Sequence, residues 1–232
     1  MRFLKENGYR VIGLNEYLEE TKEKNRFLKT VILNFEDGYA DNYLNAFPVL
    51  KEFGFKAVFL PIVGCIDSKE SFPWLEERPF PDGENLPLSS AQILEMAKEG
   101  MEIASHGLTH KKCRTQNLDE AEYEFAESKK RLEAILGKPV TSFAYPYGSP
   151  GDFNLLHKDL LRKIGYQCVL SSIIGSNSRA EPDMLELKRI PVYGTDSLSD
   201  FQKKVEGTYD WVGGVQCALS SLKSSVIRRK RP

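Results

Sequence analysis

Short apolar runs alternate with amphipathic helical stretches along most of this chain, and no other feature constrains its fold as much. Strands are expected at Tyr9–Leu14, Val31–Phe35, Ala57–Pro61, Met101–Ser105, Val140–Tyr145, Gln167–Ser171 and Leu187–Val192. Helices are expected at Tyr39–Phe53, from a Ser89 or Ser90 cap to Gly100, and at Leu118–Leu136, Phe153–Ile164 and Ser197–Val205. Gly54 and Gly137 stand where helices stop. Strands that alternate with helices of about 10–15 residues build βα units around a parallel sheet. Seven strands in this order favour a barrel over an open sheet, and in either case the site belongs at the C-terminal ends of the strands. The proline-rich stretch Ile66–Pro87 reads as a long surface loop.

The 232 residues suit one core, which can serve a chain of up to roughly 250–300 residues. The expected division is a domain over residues 1–206 and an extension over 207–232. In that extension Gly213-Gly214 is expected to break any helix, and IRRKRP (Ile227–Pro232) reads as a solvated basic tail. The chain opens as if inside a helix (Phe3, Leu4) with Gly8 as its stop, which points equally to truncation, with an N-terminal element lacking. Met1–Gly8 is charged and has no apolar stretch of the kind that opens a secretory signal, so the chain as written reads as cytoplasmic.

Lys plus Arg is 32 and Asp plus Glu is 33, a net charge of −1. That balance argues against nucleic acid as the partner, because phosphate binding needs a basic surface. Mean hydropathy of −0.39 and the lack of a long apolar run exclude a transmembrane segment. The four cysteines, at 65, 113, 168 and 217, have no CxxC spacing and make neither a zinc knuckle nor a disulfide scaffold.

Four chemically loaded segments fall at the expected strand ends: Glu36-Asp37-Gly38, His106, Tyr145-Pro146-Tyr147-Gly148 and Arg189. His106 and His110 are two of only three histidines, four residues apart. That spacing can bring two imidazoles to one face of a turn, and neutral imidazole is the commonest divalent-metal ligand. Asp37 offers a third, harder ligand. Two His and one carboxylate, with positions left for water, make a catalytic metal arrangement. Zinc is the default, and cobalt, nickel and iron also suit such a set. Adjacent residues of an extended chain point to opposite sides, so one of Glu36 and Asp37 can hold the metal while the other faces substrate as a base.

These residues resemble a known family. NFEDGYADNYLNAFPVLKEFGFKAVFL (Asn34–Leu60), GMEIASHGLTH (Gly100–His110), SKKRLEAILGKPVTSFAYPYG (Ser128–Gly148) and LKRIPV (Leu187–Val192) look like the polysaccharide deacetylases. These are the NodB-homology enzymes of carbohydrate esterase family 4, here similar to the branch acting on poly-N-acetylglucosamine. The resemblance implies an α/β fold, a distorted (β/α)7 TIM-like barrel. It implies a divalent metal on Asp37, His106 and His110, and hydrolysis of N-acetyl groups from a GlcNAc-type polysaccharide. The family commonly acts on cell-surface or exported polysaccharide. Its first motif usually reads Asp-Asp-Gly with the first Asp as catalytic base, a position filled here by Glu36. Many members carry an Arg before the Tyr of the third motif. Here Ala144 stands there, and Arg189 either takes over that role or forms a rim salt bridge. By resemblance Tyr147 supplies a backbone N–H to the oxyanion, and its ring, with Tyr145 and Pro146, shapes the groove. The family's late histidine acid has only His157 as a counterpart. His157 lies in a helical pattern (Phe153, Leu156, Leu160, Ile164) that turns it to solvent, so it is left unassigned.

Three functions fit this reading. The first is a metal-dependent deacetylase of N-acetylated polysaccharide, with aromatics such as Trp74 available to stack on sugar rings. The second is a carbohydrate-binding barrel that keeps the metal site without turnover. The third is a deacetylase of another amide or ester.

Overall fold

Eight short strands are present among the described residues: β1 (Arg10–Val11), β2 (Thr30–Val31), β3 (Asn34–Asp37), β4 (Val58–Pro61), β5 (Glu102–Ile103), β6 (Ser142–Ala144), β7 (Cys168–Ile174) and β8 (Leu187–Arg189). The computed structural model describes residues 1–23, 27–72, 74, 86–177 and 182–229, with backbone alone for 223–229. Only Ile32 and Leu33 separate β2 from β3, so the two halves share one strand position and seven positions remain. The strand pairings among the described residues are parallel: β1 with β2, β3 with β4, β4 with β5, β6 with β7, and β7 with β8. A single parallel bridge, Ser105 to Phe143, carries the wall from β5 to β6. Neighbours in space are thus neighbours in sequence throughout, as in a barrel wall. No hydrogen-bonded strand pairing joins β8 back to β1 among the described residues.

The helices are α1 (Arg2–Glu6), α2 (Leu14–Lys22), α3 (Phe47–Phe53), α4 (Ser90–Lys98), α5 (Leu118–Leu136), α6 (Leu155–Ile164), α7 (Leu198–Val205) and α8 (Val212–Arg229). The side-chain alternation of β4 shows why both faces of the sheet are covered. Val58 and Leu60 enter one buried cluster with Leu14, Ala104, Ala144, Leu170 and Leu187, while Phe59 enters the other with Phe125, Phe143 and Tyr166. Parallel strands buried on both faces read as continuous apolar runs, which is why Ala57–Pro61 was legible as a strand.

Four expectations are corrected. The helix over Tyr39–Phe53 opens with a π-helical turn at Asn42–Ala46 before α3. Pro48 stands in the first turn of α3 and has no N–H to give to the preceding turn, so the regular ladder starts late. The last helix before β7 begins at Leu155, not Phe153, because Asn154 caps it. The strand expected at Gln167–Ser171 runs on to Ile174. Gly213-Gly214 does not break a helix but sits in the first turn of α8. A Cβ at Gly213 would lie 2.1 Å from the Ile174 carbonyl oxygen, so glycine is what lets α8 close on β7. Most of the expected loop Ile66–Pro87 and the side chains of the basic tail lie outside the described residues. No helix among the described residues is long and apolar enough to cross a membrane.

Candidate metal centre

Strained backbone marks the site before any side chain is considered. Among the described residues five non-glycine residues have positive φ, and three of them are Asp37 (66°), His110 (61°) and Tyr147 (64°). Such conformations cost about 1–3 kcal/mol each and persist only where surrounding structure holds them. At Asp37 the device is a γ-turn, the Gly38 N–H donating to the Glu36 carbonyl at 2.8 Å. Tyr147 repeats it, with Gly148 N–H donating to Pro146 at 2.8 Å. Gly38 itself has φ of 79°, and a Cβ there would lie 2.8 Å from Pro61 Cα, on the neighbouring β4. The turn therefore needs glycine for both angle and space.

Asp37 at the end of β3 meets both histidines that follow β5. Its Oδ1 lies 3.5 Å from His106 Nε2 and 3.4 Å from His110 Nε2. Three such ligand atoms, one from each residue, lie within 4.8 Å of one another. Ligands at about 2.0–2.1 Å from a tetrahedral zinc stand roughly 3.4 Å apart, so this set fits a divalent cation. The hydrogen bonding fits as well. His106 Nδ1 donates to the Ala144 carbonyl at 3.1 Å, which leaves Nε2 as the bare nitrogen facing Asp37. The ring of His110 makes no hydrogen bond among the described residues, and its Nδ1 is buried without a partner. Burial, with His106 beside it, pushes His110 down to about 4 against the pull of Glu36. Its imidazole is therefore neutral near pH 7, the form that binds metal. Burial, with Glu36 adjacent, holds the Asp37 carboxyl above its usual range despite His106 and Arg189.

Glu36 stands beside this trio, its Oε1 at 3.7 Å from His106 Nε2. Arg189, from the end of β8, reaches it across the barrel, Nη1 donating to Glu36 Oε1 at 2.5 Å and to Asn34 Oδ1 at 3.0 Å. The same guanidinium is pinned from behind, Nε donating to the Ser171 carbonyl at 2.6 Å and Nη2 to Ser172 Oγ at 3.2 Å. Burial raises the Glu36 carboxyl, but His106, Arg189 and His110 together outweigh it and hold it below the usual range.

Aromatic rings flank His110 on both sides. Trp74 lies 5.1 Å away and Tyr147 4.9 Å away, centroid to centroid. Trp74 Nε1 donates to the Tyr39 hydroxyl at 2.7 Å, and Lys112 Nζ stands 4.3 Å over the Tyr147 ring. Tyr39 and Lys112 were not singled out from sequence, although Tyr39 directly follows the Glu36-Asp37-Gly38 motif. One expectation is narrowed and one fails. Tyr145 and Pro146 are buried: the Tyr145 ring stacks on Phe153 at 4.0 Å and its hydroxyl donates to the Leu185 carbonyl. His157 does not face solvent but is 4% exposed. It takes the third helical position of the α6 capping box, where its Nδ1 accepts the Asn154 N–H, and this turns the ring into the core beside Phe125. Leu155 and Leu156 are exposed in its stead.

The polysaccharide deacetylase family matches over residues 23–169. YxkH of Bacillus subtilis is 31% identical over 207 residues, covering 89% of this chain and 67% of that protein. A poly-beta-1,6-N-acetyl-D-glucosamine N-deacetylase of Escherichia coli strain K12 is 24% identical, and this chain spans only 34% of its length. Among solved structures, Streptococcus pyogenes deacetylase PplD in complex with acetate superposes with a TM-score of 0.72 at 25% identity, covering 87% of this chain and 82% of that one. IcaB from Ammonifex degensii gives 0.72 at 22% identity, over 89% and 86% of the two chains, a likeness of fold. The seven parallel strand positions are those of the distorted (β/α)7 barrel these proteins share. By motif, fold and sequence alike, the chain belongs to the polysaccharide deacetylase family of hydrolases.

Proposed function

We propose that this chain is a metal-dependent hydrolase that removes N-acetyl groups from a GlcNAc-type polysaccharide. One observation carries the reading: Asp37, His106 and His110 converge beside a fourth side chain, the Glu36 carboxylate, that Arg189 holds in place. Asp37, His106 and His110 would hold a divalent cation, zinc by default, which would supply Lewis-acid chemistry for the acetamide carbonyl and for a water near neutral pH. Glu36 takes the proton from the attacking water. Its depressed pKa keeps it ionised for that task, and Arg189 fixes its longer side chain where the family has Asp. The Tyr147 N–H, set on its strained turn, donates to the developing oxyanion. Trp74 and Tyr147 are 44% and 49% exposed, and their rings offer flat apolar faces for the sugar.

The test is acetate release from N-acetylated β-1,6-glucosamine oligosaccharides, the polymer named for the Escherichia coli relative. Activity should vanish with a chelator and return with zinc, and Asp37→Ala should abolish both activity and metal uptake. Full metal-dependent activity in Asp37→Ala would show the ligand assignment to be wrong. A binding barrel without turnover is the second reading, favoured by the burial of His157 away from the site. Glu36→Asp separates the two: a large gain in deacetylation means that side-chain length limits the natural site.

A further inference from the structure

His106 and His110 are presented by the same short loop, yet they are anchored differently. His106 has its own hydrogen bond, to the Ala144 carbonyl. His110 has none among the described residues, and its φ of 61° lies in the left-handed region that few non-glycine residues occupy. Besides the Trp74 and Tyr147 rings packed against it, His110 is held through the backbone just before it. There the carboxyl group of Glu124, in α5, takes three bonds. Its Oε2 accepts the N–H groups of Leu108 at 3.1 Å and Thr109 at 2.9 Å, and its Oε1 accepts the Thr109 hydroxyl at 2.5 Å. One turn further along the same helix, Ser128 Oγ accepts from Ser105 Oγ at 2.9 Å, and Ser105 Oγ in turn accepts the Gly107 N–H at 3.2 Å. Glu124 and Ser128 are i and i+4, so one face of α5 grips residues 105–109.

Glu124 is only 7% exposed, and no Lys, Arg or His pairs with it among the described residues. Burying a carboxyl group costs free energy unless hydrogen bonds replace its water. All three bonds that do so here go to the loop carrying the histidines. We propose that Glu124 is the positioning residue of the metal centre, holding the 106–110 loop so that His110 faces Asp37. The inference rests on the metal-centre reading above. Groups that orient metal ligands from behind typically change metal affinity by about 10–100-fold when removed.

The experiment compares metal affinity among variants of the full chain, by competition for zinc against a chromogenic chelator and by the absorption spectrum of bound Co(II). Glu124→Ala should weaken zinc binding by about 10–100-fold and alter the Co(II) spectrum. Glu124→Gln keeps an oxygen for the two backbone N–H groups and should stay within about threefold of the parent. Because Glu124 acts through His110, the double variant Glu124→Ala/His110→Ala should bind no more weakly than His110→Ala alone. A folded Glu124→Ala with parental affinity and spectrum, or an additive double variant, would overturn the proposal. Should Glu124→Ala not fold, Thr109→Val removes one of the three bonds and should weaken binding roughly three- to tenfold. Parental affinity in that variant would equally count against it. A parent chain that binds neither ion sinks the metal-centre reading itself, an outcome distinct from a parent that binds while Glu124 proves irrelevant.

Discussion

At the scale of single residues, the chemistry turns on how one arginine treats one glutamate. Arg189 acts on Glu36 by charge and by a direct hydrogen bond, and both lower its pKa against the upward push of burial. With Glu36 as the proposed base, which works only when ionised, the acid limb of kcat/KM should follow the Glu36 pKa. Arg189→Met removes a lowering influence, so Glu36 rises and the acid limb moves to higher pH. Activity then falls most at acidic pH and recovers as pH rises. The full pH profile of the variant checks this, and a limb that stays where the parent has it would remove Arg189 from the mechanism. The neighbouring His110, pushed down to about 4 by burial, keeps its imidazole neutral over most of the same range.

At the scale of elements, turns and caps contribute separately to stability and to the site. Gly38 lies at φ of 79° against Pro61, and an added Cβ would meet that backbone at 2.8 Å. Gly38→Ala should therefore cost about 1–3 kcal/mol and shift Asp37, weakening metal binding with it. Asn117 caps α5 through a capping box with Glu120. Asn117→Ala should cost about 1 kcal/mol but leave metal affinity unchanged, because Glu124 lies beyond the first turn that frays. Urea unfolding paired with zinc competition distinguishes the two variants. Equal metal affinity in both would mean that the γ-turn does not position Asp37. The same scale shows where local signals were readable. Ser89, Asn117 and Ser197 cap helices whose starts were expected within a residue or two. Caps depend on residues three apart in sequence, so they are visible in it.

At the scale of the whole molecule, the wall is stitched by side chains where strand pairing is sparse. Glu102 on β5 accepts the N–H groups of Leu14 at 2.9 Å and Asn15 at 3.2 Å, the first residues of α2. It joins segments 88 residues apart. Gly13 makes the approach possible, since a Cβ there would lie 1.9 Å from Glu102 Oε1. Glu102→Ala leaves those helix-end donors without their acceptor and should lower global stability by about 1–3 kcal/mol, with an unchanged slope in urea. An unchanged midpoint would mean that water replaces the carboxylate there at no cost.

The order of elements, the motifs that carry Asp37, His106 and His110, and the identity of the family are written in the sequence, because each motif depends on neighbours along the chain. Apolar periodicity, caps, His106 with His110, and Glu36 with Asp37 span a few residues apiece. What the chain order cannot express is which side chains meet once seven strand positions line up in a wall. Arg189 and Glu36 are 153 residues apart, and only the tertiary fold, which lets Arg189 at the end of β8 reach Glu36 in β3, turned a choice between a rim ion pair and a partner of Glu36 into a contact. The fates of Tyr145 and His157 were decided in the same way: one fills the core against Phe153, the other turns inward under its own cap. Gly213 looked like a helix breaker because glycine lowers local helix propensity, but burial of α8 against β7 rewards the absence of a side chain. Local propensity is a matter of fractions of a kcal/mol per residue. Tertiary packing overrides it wherever a close approach or a buried hydrogen bond is worth more.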